Sequence, residues 1–287
     1  MSSTPSSNEN TYIIDSEAAT ETARLMLQDR LATRGMGGVF PEQPDLSNAS
    51  AILDIACGPG GWVLDVAFAY PDIEVVGIDI SHTTIQYAKA LARSQGLSNG
   101  RFQVMNVLQP LQFPDHSFDL VNARFLCPFM PTTAWPRLLA ECIRITRPGG
   151  IIRLTECDEP ATTTSPVYEE IKRRTYQALQ RTGQTFAPDG RHYGITPLLS
   201  RLLREAGCQQ IGLKAHVLDL STGAEANEGW YQNAMVGFRL LQPFLVTQGV
   251  IGPDEFEQLY QQMLIEMLSE SFSALWFYLT AWGKTPE

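Results

Sequence analysis

The sequence predicts an α/β protein in which helices cover both faces of a mostly parallel β-sheet. From residue 51 onwards, short apolar segments alternate with segments of helical periodicity. This alternation is typical of βαβ units, whose right-handed crossovers place helices on both sides of the sheet. In such a sheet, ligands bind at the carboxyl ends of the strands, beside the point where the strand order switches. The loop after the first strand is therefore the first candidate for a functional site.

The first half of the chain supplies five of the predicted strands. A helix is predicted at 16–34, with Ser16 as its cap and Gly35 at its end, and a proline-containing linker follows at 41–50. Buried strands are predicted where short apolar segments end in glycine or polar residues. These strands are 51–56, 74–79, 102–107, 118–123 and 151–156, and the helices between them are 60–70, 83–95 and a segment from Pro136 to the turn at 147–150.

The second half of the chain is more helical. Pro166 and Pro197, each after a capping residue, begin two helices, and Gly183 and Gly207 end them. The remaining predicted elements are helices at 228–242 and 253–271 and strands at 210–220 and 274–282.

The order of these elements predicts the domain organisation. Residues 1–10 are rich in Ser and Asn and are expected to form a disordered tail. A single α/β domain is expected at 46–287. Its helical insertions, at about 160–205 and 223–271, are expected to form a cap over the carboxyl edge of the sheet.

Composition restricts the class of partner. The 287 residues include 21 Lys and Arg against 31 Asp and Glu, a net charge of −10. An acidic chain repels nucleic-acid phosphates and anionic lipid, so we expect a small-molecule partner and neither nucleic acid nor membrane. No apolar segment approaches the roughly 18 residues that span a bilayer, and the first residues do not resemble a secretion signal. The oligomeric state cannot be predicted.

Cysteine and histidine usage also restricts the kind of site. The five cysteines are odd in number and form no C-x-x-C pair, which favours reduced thiols in a cytoplasmic protein over disulfides or structural zinc. The four histidines are scattered, so no histidine metal site is expected.

A glycine-rich turn follows the first predicted strand. In ILDIACGPGGW (52–62), small residues allow a ligand to approach backbone N–H groups. Val63 stands where a dinucleotide fingerprint needs its third glycine, and no P-loop lysine follows. Asp79 ends the second predicted strand, where a carboxylate can accept hydrogen bonds from ribose hydroxyls. Asn106 and Val107 end the third, where an amide and a backbone N–H can recognise adenine. Each of these residues alone fits a cap or turn; together they favour a nucleoside site.

Four segments give the sequence a family resemblance. They are LDIACGPGG (53–61), VVGIDIS (75–81), LQFPDHSFDLVNARF (111–125) and RPGGIIRLTE (147–156). With them the chain resembles the class I S-adenosylmethionine-dependent methyltransferases, and within these the UbiE-like or type 11 small-molecule group. The resemblance implies a Rossmann-like sheet of seven strands in which the last strand, here ALWFYLTAW, runs antiparallel to the others.

The resemblance also implies which residues hold the cofactor. The methionine end would be held by Asp54, Ala56, Cys57, Gly58 and Gly60. Asp79 would hold the ribose and Ile80 would lie beside the adenine. The adenine ring would meet Val107 and Asn106, the latter at a position where an acidic residue is usual. The backbone of Asn122 and Ala123 would accept from the ammonium group. An N-terminal helical lid, residues 11–45 with Tyr12, would fold over the cofactor.

Catalytic residues are harder to predict, because the methyl group of the cofactor is already activated and alignment supplies most of the rate. A general base helps only when the acceptor is a hydroxyl or a protonated amine. His192 and Glu156 are the candidates at the carboxyl edge; a loop histidine and a solvated strand-end acid are the alternatives. An acceptor pocket is predicted from aromatic residues, each of which could instead pack the core: Tyr12, Phe125, Phe129, Trp230, Tyr231 and Phe238.

These observations predict a cytoplasmic enzyme that transfers a methyl group from S-adenosylmethionine to a small organic acceptor and releases S-adenosylhomocysteine. Two alternatives stay open. The same fold performs other S-adenosylmethionine chemistry, such as cyclisation or alkyl transfer. The second alternative is a cofactor-binding protein without catalytic activity, since a fold does not determine a function.

Overall fold

A single mixed sheet organises the molecule. The structure, a computed structural model, describes residues 11–287, so the predicted tail lies outside the described residues. The strands are β1 (Ala51–Ile55), β2 (Glu74–Asp79), β3 (Gly100–Val104), β4 (Phe118–Arg124), β5 (Thr146–Glu156), β6 (Thr162–Thr163), β7 (Gln209–Asp219) and β8 (Ala274–Lys284). Their order is β3-β2-β1-β4-β5-β8-β6, with β7 also paired to β8.

Helices flank this sheet. They are α1 (Ala19–Met36), α2 (Gly61–Ala69), α3 (His82–Ser94), α4 (Trp135–Ile145), α5 (Pro166–Arg181), α6 (Leu199–Glu205), α7 (Asn227–Thr247) and α8 (Pro253–Met267). None of the helices formed by residues 11–287 combines the length and apolarity that crossing a membrane needs.

The predicted parallel sheet with an antiparallel last strand is confirmed. Strands β1 to β5 pair in parallel, whereas β8 runs antiparallel to both β5 and β7. The sheet has eight strands rather than seven, because β6 adds a two-residue pairing with the start of β8. Strand β1 lies between β2 and β4, so the strand order switches at its carboxyl end.

Strand β1 also shows why the sheet is covered on both faces. Ile52 packs in the same apolar cluster as Trp62 of α2, whereas its neighbour Leu53 packs with Leu139 of α4. Successive strand residues point to opposite faces, and both faces are buried here. A further apolar cluster joins α5, α7, α8 and β8.

Several predicted boundaries are wrong. Strand β3 ends at Val104, so Asn106 and Val107 follow the strand instead of ending it. The turn at 147–150 belongs to β5, which begins at Thr146 as soon as α4 ends. Ser16 does not cap α1, whose N-cap is Ala18 without a side-chain hydrogen bond.

Candidate active site

A cavity of about 260 Å³ opens at the carboxyl ends of β1 and β2. One side is formed by the loop after β1, the end of β2 and the segment after β3. Helices α1, α5 and α7 and the start of β8 form the other side. The cavity therefore lies at the switch point, where an α/β sheet binds its ligands.

The loop after β1 presents backbone to this cavity. Ala56, Cys57 and Gly58 all line it, and a Cβ atom added to Gly58 would meet only Leu25, at 3.9 Å. Gly60 does not line the cavity. A Cβ atom there would lie 2.4 Å from the Phe102 ring, so this glycine allows the loop to pack on β3. Gly60 therefore has a packing role in the structure, and its predicted cofactor contact stays a prediction.

Asp79 connects the end of β2 to this loop. Its Oδ2 accepts a hydrogen bond from the Gly58 N–H at 3.0 Å, and its Oδ1 accepts from the Ser81 N–H at 2.9 Å. Burial raises the pKa of Asp79, while these backbone donors oppose the rise. A carboxylate has about four acceptor positions. Asp79 thus holds the loop and retains acceptor capacity at the cavity, which Ile80 also lines.

The segment after β3 completes this side of the cavity. Asn106 and Val107 line it even though they follow the strand. The Asn106 Oδ1 accepts from the Leu108 N–H at 2.9 Å, which closes a tight turn. Residues after Val104 thus reach the cavity through this turn.

Asp54 lies in the floor of the cavity within a buried polar chain. Its Oδ1 accepts from Asn122 Nδ2 at 2.7 Å, and Asn122 Oδ1 accepts from Arg153 at 2.7 Å. Burial raises the pKa of Asp54 to about 7, although Arg124 and Asn122 lower it. Asn122 and Ala123 do not line the cavity. Asn122 instead orients Asp54 from behind.

The two predicted catalytic residues do not line the cavity. The Glu156 carboxylate turns to the chain after β4, where it accepts from the Leu126 N–H at 2.7 Å and the Cys127 N–H at 3.4 Å. Burial raises its pKa to about 8. His192 is half-buried, and its neighbour Tyr193 lines the cavity instead. Both residues lie near the carboxyl edge of the sheet, but their position in the sequence does not determine the direction of their side chains.

Acidic residues after β5 have separate partners. Asp158 accepts from the Ile195 N–H at 2.7 Å, and Glu159 pairs with Lys172. Within residues 11–287, no group of three His, Cys, Asp or Glu side chains is placed to hold a metal ion.

Aromatic side chains form much of the second side of the cavity. Of the predicted residues, Tyr231 does not reach it, and five do: Tyr12, Phe125, Phe129, Trp230 and Phe238. Four further aromatic residues were not predicted: Tyr168, Tyr176, Tyr193 and Trp276. Tyr168 and Tyr176 are eight residues apart on α5, a spacing that places them on one helix face. That spacing is the signal from which they were predictable.

A polar cluster joins α1 to α7 beside the aromatic side. Tyr12 donates to Glu21 Oε1 at 2.6 Å, and Arg24 donates to both carboxylate oxygens of Glu21 at 2.6 and 2.7 Å. Arg24 also donates to Asn233 Oδ1 of α7 at 2.9 Å. Tyr12, Arg24 and Asn233 line the cavity. This contact positions α1 across the cavity.

Comparison with known proteins agrees with this geometry. Residues 52–150 match a family model described as a methyltransferase domain. Methyltransferase str3 of Strobilurus tenacellus is 35% identical over 40% of this chain and 38% of its own length. The probable methyltransferase ltbC of Aspergillus luteorubrus is 28% identical over 65% of each chain. The demethylmenaquinone methyltransferase of Geobacillus kaustophilus is 27% identical over 59% of this chain and 75% of its own. The chain thus spans less than two thirds of the first two relatives.

Solved structures share the fold. The YcgJ protein of Bacillus subtilis aligns with a TM-score of 0.52 at 16% identity, over 83% of this chain and 92% of its own. A second solved structure is a phosphoethanolamine N-methyltransferase 2 of Haemonchus contortus in complex with phosphomonomethylethanolamine and S-adenosylhomocysteine. It aligns with a TM-score of 0.51 at 16% identity, over 88% of this chain and 52% of its own. The strand order, the glycine loop and the methyltransferase-domain match at 52–150 together support a class I S-adenosylmethionine-dependent methyltransferase.

Proposed function

We propose that the chain transfers a methyl group from S-adenosylmethionine to a small organic acceptor and releases S-adenosylhomocysteine. One observation carries the proposal: the glycine loop, Asp79 and the Asn106–Val107 turn meet on one side of a single cavity, opposite an aromatic side. The first side has the donors and acceptors of a nucleoside site, and the second leaves apolar surface for an acceptor.

The residues present fit the cofactor. Gly58 leaves open space at the loop, and Asp79 has acceptor positions beyond those used by Gly58 and Ser81. Asp79 would hold the ribose, the Asn106–Val107 turn the adenine, and Asp54 the methionine end, whose ammonium group suits a buried carboxylate. When bound, the cofactor supplies an activated methyl group on its sulfonium.

The contribution of this chain is then alignment and water exclusion. The aromatic side presents residues from α5, α7, β8 and several connecting segments, which would hold an acceptor in a fixed orientation. The Tyr12–Glu21–Arg24 cluster would keep α1 over the cavity and exclude water. Neither His192 nor Glu156 lines the cavity, so the proposal needs no general base from them.

The proposal extends to the setting of the reaction. The partner would be a small molecule, as it is for the similar demethylmenaquinone methyltransferase of Geobacillus kaustophilus according to its name. The five cysteines are free and buried, which supports a reducing compartment such as the cytoplasm.

Asp79→Ala tests the cofactor assignment. The variant loses ribose contacts and the anchor of the Gly58 loop, so we expect S-adenosylhomocysteine to bind roughly 100-fold more weakly by calorimetry. Asp72→Ala, an exposed aspartate before β2, is the control and should bind as the unaltered chain does. Equal affinity of the two variants would refute the site.

Product analysis tests the reaction itself. Incubation with methyl-labelled S-adenosylmethionine and a metabolite extract should yield S-adenosylhomocysteine and a labelled product in equal amounts. Products formed with the cofactor unconsumed would favour a cyclisation-type reaction, and tight binding without any turnover would favour a binding protein.

A further inference from the structure

Three polar atoms in the aromatic side of the cavity have no hydrogen-bond partner among residues 11–287. They are the Tyr168 hydroxyl on α5, Trp230 Nε1 on α7 and Trp276 Nε1 on β8. All three residues line the cavity, and only 0%, 2% and 2% of their surfaces are exposed. We call this set the donor wall.

The members of the donor wall are neighbours. The Trp230 and Trp276 rings lie 5.4 Å apart between centroids. Burial raises the pKa of Tyr168 well above its ordinary value, while the nearby Trp230 N–H lowers it. The two groups are therefore close without reaching hydrogen-bond geometry. Three side chains from three elements converge on one part of the cavity.

Unpaired buried donors are costly. Each costs about 1–3 kcal/mol in a protein interior, so buried indole and phenol groups nearly always have partners. Trp230 and Trp276 donate but cannot accept, so they cannot satisfy each other. Two nearby acceptors, the Tyr168 hydroxyl beside Trp230 and the Cys157 thiol beside Trp276, are not in hydrogen-bond geometry with the indole N–H groups. A ligand atom that accepts hydrogen bonds would remove the penalty.

The charges beside the donor wall are already paired. Arg24 binds Glu21, Lys172 binds Glu159 and Glu169, and Arg124 binds Asp29. Arg124 Nε is also buried without a partner among the described residues, although the Arg124 charge is neutralised by Asp29. A phosphate or carboxylate on the acceptor would meet cations that already have counter-charges, so it would gain little compensation for its lost hydration. An uncharged acceptor loses less hydration, and its rings would stack on the surrounding aromatic faces.

We propose that the donor wall binds an oxygen atom of an uncharged, ring-bearing acceptor, which makes Tyr168, Trp230 and Trp276 its specificity determinants. This inference rests on the proposed function, because it assigns the acceptor half of the same cavity. The oxygen accepts from the indole N–H groups, and the ring fills the space between Phe125 and Phe238.

Three probes with one ring system test the acceptor class. The chain, saturated with S-adenosylhomocysteine, is titrated with 2-naphthol, naphthalene and 2-naphthyl phosphate by ligand-observed NMR. The hydroxyl should improve binding about tenfold over naphthalene, the effect of one or two buried hydrogen bonds. The phosphate should not bind detectably. Binding of 2-naphthyl phosphate as tight as that of 2-naphthol, or no binding of 2-naphthol, would overturn the proposal.

Variants test the residues. Tyr168→Phe, Trp230→Phe and Trp276→Phe keep a ring and remove the polar atom, so each should bring the affinities for 2-naphthol and naphthalene to within about threefold. Trp135→Phe is the matched control, because Trp135 Nε1 is also buried and unpartnered but does not line the cavity. It should retain the tenfold difference.

The two proposals fail differently. If all three variants retain the tenfold preference, the donor wall does not bind the oxygen and this inference is wrong. The three variants should bind S-adenosylhomocysteine as the unaltered chain does. If the unaltered chain does not bind S-adenosylhomocysteine, the proposed function is refuted instead. A raised melting temperature of Tyr168→Phe without ligand would independently support an unsatisfied hydroxyl.

Discussion

Ala56 shows a backbone cost at a single residue. Its φ of 54° lies in the left-handed region, where a Cβ costs roughly 1–2 kcal/mol. The residue lines the cavity, and the family resemblance leads us to expect glycine there. The chain therefore holds the loop in its cavity-facing conformation against local strain.

Ala56→Gly should relieve this strain. We expect the free energy of unfolding to rise by about 1 kcal/mol, because glycine adopts a positive φ freely. Denaturant titration measures the change. Ala90→Gly, at an exposed helical position of α3, should instead lower stability by about 1 kcal/mol. Destabilisation by both changes would contradict the strained conformation of Ala56.

Glu156 makes stability depend on pH. Its pKa is about 8 when folded, against an ordinary value of 4.5, because of burial. Between these pH values the folded state binds more protons than the unfolded state. The contribution of Glu156 to the free energy of unfolding therefore falls as the pH rises from about 4.5 to 8.

Glu156→Gln should make that pH dependence shallower, since an amide does not titrate. Unfolding experiments at pH 5 and pH 8 measure the difference between the two stabilities. Glu270→Gln controls for the loss of one exposed charge. The same slope in Glu156→Gln as in the unaltered chain would show that another group is responsible.

Helix α1 is joined to α7 through a polar contact as well as through apolar packing. Arg24 donates hydrogen bonds to Glu21, Gln28 and Asn233, and the last of these connects α1 to α7. Glu21 is fully buried, so its charge needs this partner. One guanidinium group thus joins the predicted lid to α7.

Arg24→Ala should loosen α1. We expect faster amide hydrogen exchange in Ala19–Met36 and several-fold weaker binding of S-adenosylhomocysteine, because the helix no longer holds the cavity closed. Arg30→Ala, an exposed position of the same helix, should change neither quantity. Unaltered amide hydrogen exchange in α1 after Arg24→Ala would show that the Tyr12–Glu21–Arg24 cluster does not stabilise the lid.

The sequence predicted elements better than side-chain directions. Strand β2 was predicted at its observed bounds, because an apolar segment there ends at a polar residue. The third strand was placed too late, since Met105 and Val107 are as apolar as strand residues. Helical periodicity marks a buried face without saying what it faces. Tyr168 therefore reached the cavity unpredicted, and Glu156, predicted to face it, turned away.

At the scale of the whole molecule, a buried ion pair ties the linker before β1 to the middle of the sheet. Arg153 of β5 is fully buried and pairs with Glu42, whose side chain is 3% exposed. Arg153 also donates to Asn122, which orients Asp54. The Glu42–Arg153 ion pair therefore contributes both to the stability of the whole protein and to the position of Asp54 in the floor of the cavity.

Glu42→Gln should lower the free energy of unfolding by roughly 3–5 kcal/mol, because it leaves the Arg153 charge buried without its counter-charge. Chemical denaturation measures the loss. The double change Glu42→Gln with Arg153→Met should recover much of it. A small effect of the single change would mean that Asn122 alone compensates Arg153.

Strand β8 lies between β5 and β7, although α7 and α8 separate it from β7 in the sequence. Within the sheet, β7 pairs with β8. During synthesis, strands β1 to β5 have their partners early, while β7 must wait for the final strand to leave the ribosome. A nascent chain halted before Ala274 would leave the outer edge of β5 open and β7 without a partner, and open strand edges are sites of aggregation.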